Sequence, residues 1–508
     1  MRNALLWILW LTATLLGAGA LGAAVFLGGD RSPLAPGETT GVHHQVELAC
    51  ETCHAADPWD DFADSKAQLK DLNKTCRGCH DDELKVSNDS HPRKKFRDPR
   101  MADYWAKIDA RDCTSCHVEH APEITRPMGV TLAEDFCVAC HSEGDQDVRV
   151  NRPSHAGLGF DTCASAGCHN FHDNRAIYED FLVKHADEPW LKDHAVLPLR
   201  AARLEGGEPI AKIRGDALTL AQADAPAEAL ERTLEAQLAG WEGSAHAAGG
   251  VNCAGCHAPK GAKKGEAEKI AAEWDDAVEI KTCAKCHRSE AQTFTEGRHG
   301  MAFNKNVEGP RKLKKRLKAV GLKGMEEELP AAILAFLDDP SPEDVPMQVS
   351  RARVALAPDA PHDALTCASC HDPHTADTQF ARVEACASCH VDDHSRAYFD
   401  SPHYALFQAE AAGEGAPGSG VGCADCHMPR LEHPDTGQVF VTHNQNETLR
   451  PNEKMIRPTC LSCHGLGFSI DALADAALVR GNFAGKPSAR IESIDWAVKR
   501  VTTEGSRQ

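Results

Sequence analysis

Cys50-Glu51-Thr52-Cys53-His54 is the stretch on which the reading of this chain turns, because the same pattern, Cys-x-x-Cys-His, keeps returning. It recurs as Cys76 and Cys79 with His80, Cys113 and Cys116 with His117, and Cys137 and Cys140 with His141. Further on come Cys253 and Cys256 with His257, Cys283 and Cys286 with His287, Cys367 and Cys370 with His371, and Cys386 and Cys389 with His390. Cys423 and Cys426 with His427 and Cys460 and Cys463 with His464 complete the regular set. One variant, Cys163 and Cys168 with His169, has four residues between its cysteines. Eleven motifs of two cysteines use all 22 cysteines of the chain.

Two thiols one turn apart can add to the two vinyl groups of a haem, and the adjacent histidine then lies under the iron. Zinc knuckles also use Cys-x-x-Cys, but zinc has no need of a histidine directly after every second cysteine. Disulfides would give that histidine no role either. The motifs therefore specify eleven covalently bound c-type haems.

At 508 residues the chain has about 46 residues for each motif, and aromatic residues make up 6%. Buried apolar surface must then come largely from the porphyrins. Runs of alternating Val, Ile and Thr are few. The expected fold is mainly α, with short helices, long haem-wrapping loops and little β. The formal charge of −20 argues against nucleic acid as a partner and favours redox partners with basic docking patches.

Ala4–Gly29 carries no charge and is long enough to span a bilayer, with Arg2 before it. Residues 1–30 read as an N-terminal anchor in the inner membrane, the alternative being a signal cleaved after Ala18-Gly19-Ala20. Haem attachment of this type takes place outside the cytoplasmic membrane, so the body is expected to be periplasmic. Residues 31–200 hold five motifs and residues 246–508 hold six. Between them, 201–245 read as a helical linker, with apolar residues at helical spacing from Leu218 to Trp241. A basic run, Arg311–Lys318, is either a docking patch or a solvated helix face.

Of 27 histidines, sixteen lie outside the motifs, enough to give each iron a second ligand. The candidates are His44, His91, His120, His155, His172, His246, His299, His362, His374, His394, His403 and His443. His433, one of His43 and His44, His185 and His194 are the expected surplus. Cys-His-x-x-His occurs at His117/His120, His169/His172 and His371/His374, and His390/His394 is one residue longer. A histidine three positions on cannot reach the far face of its own haem, so it is expected to serve a neighbouring one. Close haem packing of this kind resembles that of compact multihaem cytochromes. Met301 or Met428 could replace a histidine at an iron.

The segment Cys386–His390, Asp392-Asp393-His394, Tyr398 and His403, followed by Cys423-Ala-Asp-Cys-His-Met-Pro429, Thr442-His443-Asn444 and Cys460–His464, resembles the octahaem hydroxylamine oxidoreductases. Over about 245–480 it is also similar to the pentahaem ammonia-forming nitrite reductases, and Gly297-Arg-His299-Gly fits that likeness. The resemblance implies one haem with an open face, flanked by acid–base groups. Asp392, Asp393, His394, Tyr398 and His403 would supply them. The chain departs from those families in three ways: no Tyr follows Tyr404, no motif ends in Lys, and the long helices expected after the last haem motif read as cut short.

Three readings of function follow. The leading one is a membrane-tethered periplasmic cytochrome passing electrons along mostly bis-His haems in a respiratory pathway. The alternatives are an oxidoreductase of a small nitrogen or sulfur compound at one five-coordinate haem, and a quinol dehydrogenase drawing on the quinol pool.

Overall fold

The computed structural model describes residues 6–19 (except 8), 37–54 (except 48), 65–86, 91, 96–141 (except 127, 128 and 134), 171–172, 235–258 and 273–307. It further describes 352–360 (except 353), 364–445 (except 434 and 435), 447, 449, 453–488 and 490. The motif Cys163–His169, His155, His185, His194, His362, the linker 201–234 and the basic run Arg311–Lys318 lie outside the described residues.

The fold is mainly α, built from short helices and single turns joined by long loops. α1 covers Ser65–Val86, α2 Glu235–Glu242, α3 Arg288–Glu296, α4 Asp393–Ala397, α5 Pro402–Ala411, α6 Leu466–Ala474 and α7 Ala476–Arg480. The strands found among the described residues are β1, Arg430–Glu432, and β2, Val439–Val441, an antiparallel hairpin with Leu431 opposite Phe440. The motifs themselves impose the short helical turns. His117 N–H donates to Cys113 O (2.9 Å), His390 to Cys386 O (2.9 Å) and His464 to Cys460 O (2.8 Å). Such a turn brings both thiols and the imidazole of a motif to one side of the backbone.

The chain divides into two compact units. One comprises Met1–Cys79, Asp112–Thr131 and Lys305–Met347; the other comprises His80–Arg111, Leu132–Asn304 and Gln348–Gln508. In the first, Asn73 ties α1 to the third motif by donating to Asp112 Oδ1 (2.7 Å) and accepting from Cys113 N (2.8 Å). In the second, two small apolar clusters stand beside motif cysteines. Met455, Ile456, Leu461, Leu466, Ile470 and Leu473 pack with Cys426 and Cys460. Val383, Tyr398 and Phe407 pack with Tyr404 and Cys423. The protein core thus forms around the points of cofactor attachment.

Near the N-terminus residues 6–7 and 9–19 are helical, with Leu9, Trp10, Leu15 and Leu16 exposed. The rest of the uncharged run lies outside the described residues. Among the described residues no helix is long and apolar enough to cross a membrane.

Candidate functional site: facing imidazoles and adjoining motifs

Among the described residues eight motif histidines face a histidine from elsewhere in the chain. In the first unit His54 faces His120, with ring centroids 6.5 Å apart. In the second, His141 faces His91 (6.1 Å), His287 faces His246 (6.1 Å) and His257 faces His374 (6.2 Å). His390 faces His299 (6.2 Å), His371 faces His443 (6.1 Å), His427 faces His394 (6.2 Å) and His464 faces His403 (6.2 Å). Every motif of 246–508 is among them.

Those distances fit a metal held between the rings. Two imidazole–metal bonds of about 2 Å each plus two ring radii add to about 6 Å. Second partners fix which nitrogen is presented. Nδ1–H donates to Gly37 O from His120 (2.9 Å), to Phe171 O from His91 (2.6 Å) and to Pro373 O from His246 (3.0 Å). It donates to Asp275 O from His257 (2.7 Å), to Val479 O from His394 (2.5 Å) and to Val441 O from His443 (2.9 Å). A carbonyl only accepts, so Nδ1 carries the proton in each case and Nε2 keeps its lone pair for a metal. Among the described residues no group of three or more His, Cys, Asp or Glu could hold a metal ion, as a zinc knuckle would require. The donor set fits haem.

Local structure places these rings. Gly297 allows the loop after α3 to lie against His443, since a Cβ there would meet His443 O and Gln445 Oε1 at 2.8 Å. Thr293 Oγ1 on α3 accepts from His443 N (2.9 Å). Gly297→Ala is therefore expected to cost about 1–3 kcal/mol through overpacking and to displace His443. Thermal unfolding together with the high-spin fraction of the ferric spectrum checks this.

Burial pushes the imidazoles of His299 and His427 down to about 4. Both stay neutral, as metal binding requires, throughout the neutral range. As pH falls below the ordinary value of 6.5 the unfolded chain takes up these protons first. Stability is therefore full above about 6.5 and falls as pH drops below it. Denaturant midpoints measured across that window test the sign.

The motifs also adjoin one another. The sulfur atoms of Cys76 and Cys113, of Cys283 and Cys367, and of Cys386 and Cys423 are close neighbours. Cys256 interacts electrostatically with Cys283 and Cys286, and Cys370 with Cys386 and Cys389. Thr459 Oγ1 donates to Cys426 O (3.4 Å), beside Cys460. In 246–508 successive motifs are thus neighbours in space, from Cys253 to Cys463. His374 and His394 cross-link this row, since each faces the histidine of a motif other than the one it follows.

Other candidates fall as follows. His44 Nδ1 lies 3.1 Å from Gly41 O, while His43 Nδ1 is 2.6 Å from Glu119, which also accepts from Thr40 N (3.0 Å). These hydrogen bonds help to hold the Glu119 carboxyl down at about 2. His172 packs edge-on against Phe171. His433 packs on Phe440 in the β1–β2 hairpin. Met428 Sδ accepts from Gln445 Nε2 (3.6 Å).

The suggested acid–base groups are built into the scaffold. Asp392 caps α4, accepting from His394 N (3.1 Å), Ser395 N (3.2 Å) and Ser395 Oγ (2.7 Å). Asp393 is the first residue of α4. Tyr398 is buried and donates to Val421 O (2.9 Å), and its hydroxyl pKa is raised by burial. His394 and His403 face motif histidines, as described above.

A family model described as cytochrome c3 matches residues 42–142, which hold the four motifs from Cys50 to His141. No curated protein matches the chain. Together with the motifs, this match defines the class: a multihaem c-type cytochrome, an electron-transfer protein carrying covalently bound haem c.

Proposed function

We propose that the chain carries eleven haems and passes electrons along them in a respiratory pathway, as a periplasmic cytochrome tethered to the cytoplasmic membrane. The observation that carries this reading is the pairing in 246–508, where each of the six motif histidines faces a second imidazole. Bound haem supplies reversible one-electron chemistry at potentials set by axial ligands, burial and hydrogen bonding. The protein's part is to hold each iron of 246–508 between two imidazoles and to bring successive motifs close together. The Nδ1–H bonds to carbonyls orient the rings and raise their basicity as ligands.

The exposed apolar helix at 9–19 supports a tether in the inner membrane. On this reading the resemblance of about 245–480 to the hydroxylamine oxidoreductases would concern haem packing rather than a reaction. An oxidoreductase of a small nitrogen or sulfur compound in this half would need one motif histidine without a facing imidazole. The acidic surface suits redox partners with basic patches, and reduction of the isolated protein by a quinol would identify the quinol pool as donor.

Electron paramagnetic resonance of the oxidised protein tests the proposal. Low-spin signals alone, with no high-spin ferric component, are expected. A high-spin signal from about one haem that moves on adding nitrite or hydroxylamine would overturn the reading in favour of a catalytic centre.

A further inference from the structure

α7 ends in a turn that its own sequence does not favour. Gly481 closes the helix, donating to Ala477 O (2.9 Å), and the next two residues both enter the left-handed region, Asn482 at φ 48° and Phe483 at φ 60°. Asparagine tolerates this conformation at a helix C-terminus, whereas a bulky residue pays for it in strain. The turn is nevertheless tightly held. Phe483 N donates to Leu478 O (2.8 Å) and Asn482 N to Val479 O (3.1 Å). Asp475 caps α7 through Ala477 N (3.1 Å) and Leu478 N (3.0 Å), and its other oxygen accepts from Ser488 N (2.9 Å) and Oγ (2.7 Å), closing the loop.

What the strained pair touches explains why it is there. The Phe483 ring meets two imidazoles, His394 at 6.4 Å and 88° and His403 at 6.2 Å and 63°. The Asn482 amide donates to His394 O (3.1 Å) and lies 3.2 Å from His394 Nε2. Val479 O, in the same turn, accepts from His394 Nδ1 (2.5 Å). His394 is therefore fixed at Nδ1 and at its backbone by one short segment, with the Asn482 amide beside Nε2. The ring that completes this clamp also bears on His403, which serves a different motif. A glycine at 483 would relieve the backbone but could not reach either imidazole.

We propose that Asn482 and Phe483 are positioning residues that together set the orientation of the imidazoles facing His427 and His464, the last two motif histidines. The proposal rests on the axial-ligand reading of those pairs. Their rings are steeply crossed, at 75° for His394/His427 and 67° for His403/His464. Crossed planes leave two iron d orbitals nearly degenerate and make the low-spin signal strongly anisotropic. Any relaxation of the clamp toward parallel rings reduces that anisotropy, so ligand orientation can be read directly.

The test uses the full-length, haem-loaded protein. Phe483→Gly and Asn482→Gly suit the left-handed backbone, so both variants are expected to fold and mature. Haem content per chain is the control for that. Phe483→Leu, which keeps apolar volume without the aromatic edge, covers the case in which glycine loosens the fold. At unchanged haem content, the strongly anisotropic signals of two haems should shift and two steps of the redox titration should move, the remainder superimposing on the parent. Phe380→Ala, at an exposed ring outside both apolar clusters, should leave both readouts unchanged. Superimposable spectra and titrations for the Phe483 variants would overturn the clamp, as would the same changes in Phe380→Ala. A high-spin signal from either centre in the parent protein would instead overturn the axial reading and the clamp with it.

Discussion

Replacing His299 by alanine is expected to convert one centre, that of Cys386–His390, from low-spin to high-spin and leave the other ferric signals in place. His299 faces His390 at 6.2 Å, and burial holds it neutral with a pKa of about 4. Truncation removes a strong-field nitrogen, and the water that can enter in its place is a weak-field ligand. The haem itself should not be lost, because Cys386, Cys389 and His390 still hold it. Bis-imidazole ligation favours the ferric state, so the potential of this centre should also rise. Spin integration against the parent protein should give about one high-spin haem per chain, and a redox titration should show a single displaced step. An unchanged spectrum would remove His299 from the ligand set.

The motifs were legible in the sequence because their chemistry is local. Two cysteines and a histidine within five residues need only one helical turn to converge, and the turn forms at each described motif. The mainly α fold followed from the same fact, since so many short attachment segments leave little room for extended strands. Partner choice was not legible, because it is made by tertiary contacts. His246 is oriented by Pro373 O, 127 residues away, and His443 by the packing of β2 against α3. Histidine counting can supply enough ligands but cannot say which ring meets which.

Asp392 and Tyr398 illustrate a second limit. Acid–base residue types near a motif suggested a reaction, yet Asp392 followed by Ser395 is equally a helix start, and it is used as one. Tyr398 is spent on the backbone at Val421, two residues before Cys423. The clamp at Asn482 and Phe483 left a partial trace, since Gly-Asn after a helical pattern marks a C-terminus. Nothing local, however, says that the following ring meets two imidazoles.

The largest loss of stability is expected from Arg382→Ala. Its guanidinium donates to Asp425 Oδ2 from Nε (3.2 Å) and Nη2 (2.9 Å), and to Glu410 Oε2 from Nη1 and Nη2 (both 3.3 Å). It also donates to Gly420 O (3.0 Å) and stacks over Phe407 at 5.1 Å. The three charged side chains are only 16–23% exposed. Such a cluster adds little net stability compared with apolar packing, but removing its cation strands two carboxylates, at a cost of about 3–5 kcal/mol. Both anions have further duties that keep them in place. Asp425, inside the motif Cys423–His427, accepts from Gly422 N (2.7 Å), and Glu410, on the helix that carries His403, accepts from Gly420 N (3.0 Å). Arg382→Lys should recover part of the loss, since a point charge cannot reproduce the fork that spans both carboxylates. Adding Asp425→Asn to Arg382→Ala should also recover part of it, because one stranded charge disappears. Denaturant midpoints for the single and double variants give the coupling energy directly. A shift below about 1 kcal/mol for Arg382→Ala would mean that water reaches the carboxylates as it does at a surface pair. A large shift would mean that this ion cluster holds the adjoining motifs of Cys386 and Cys423 at their spacing, tying the stability of the unit to the geometry that electron transfer requires.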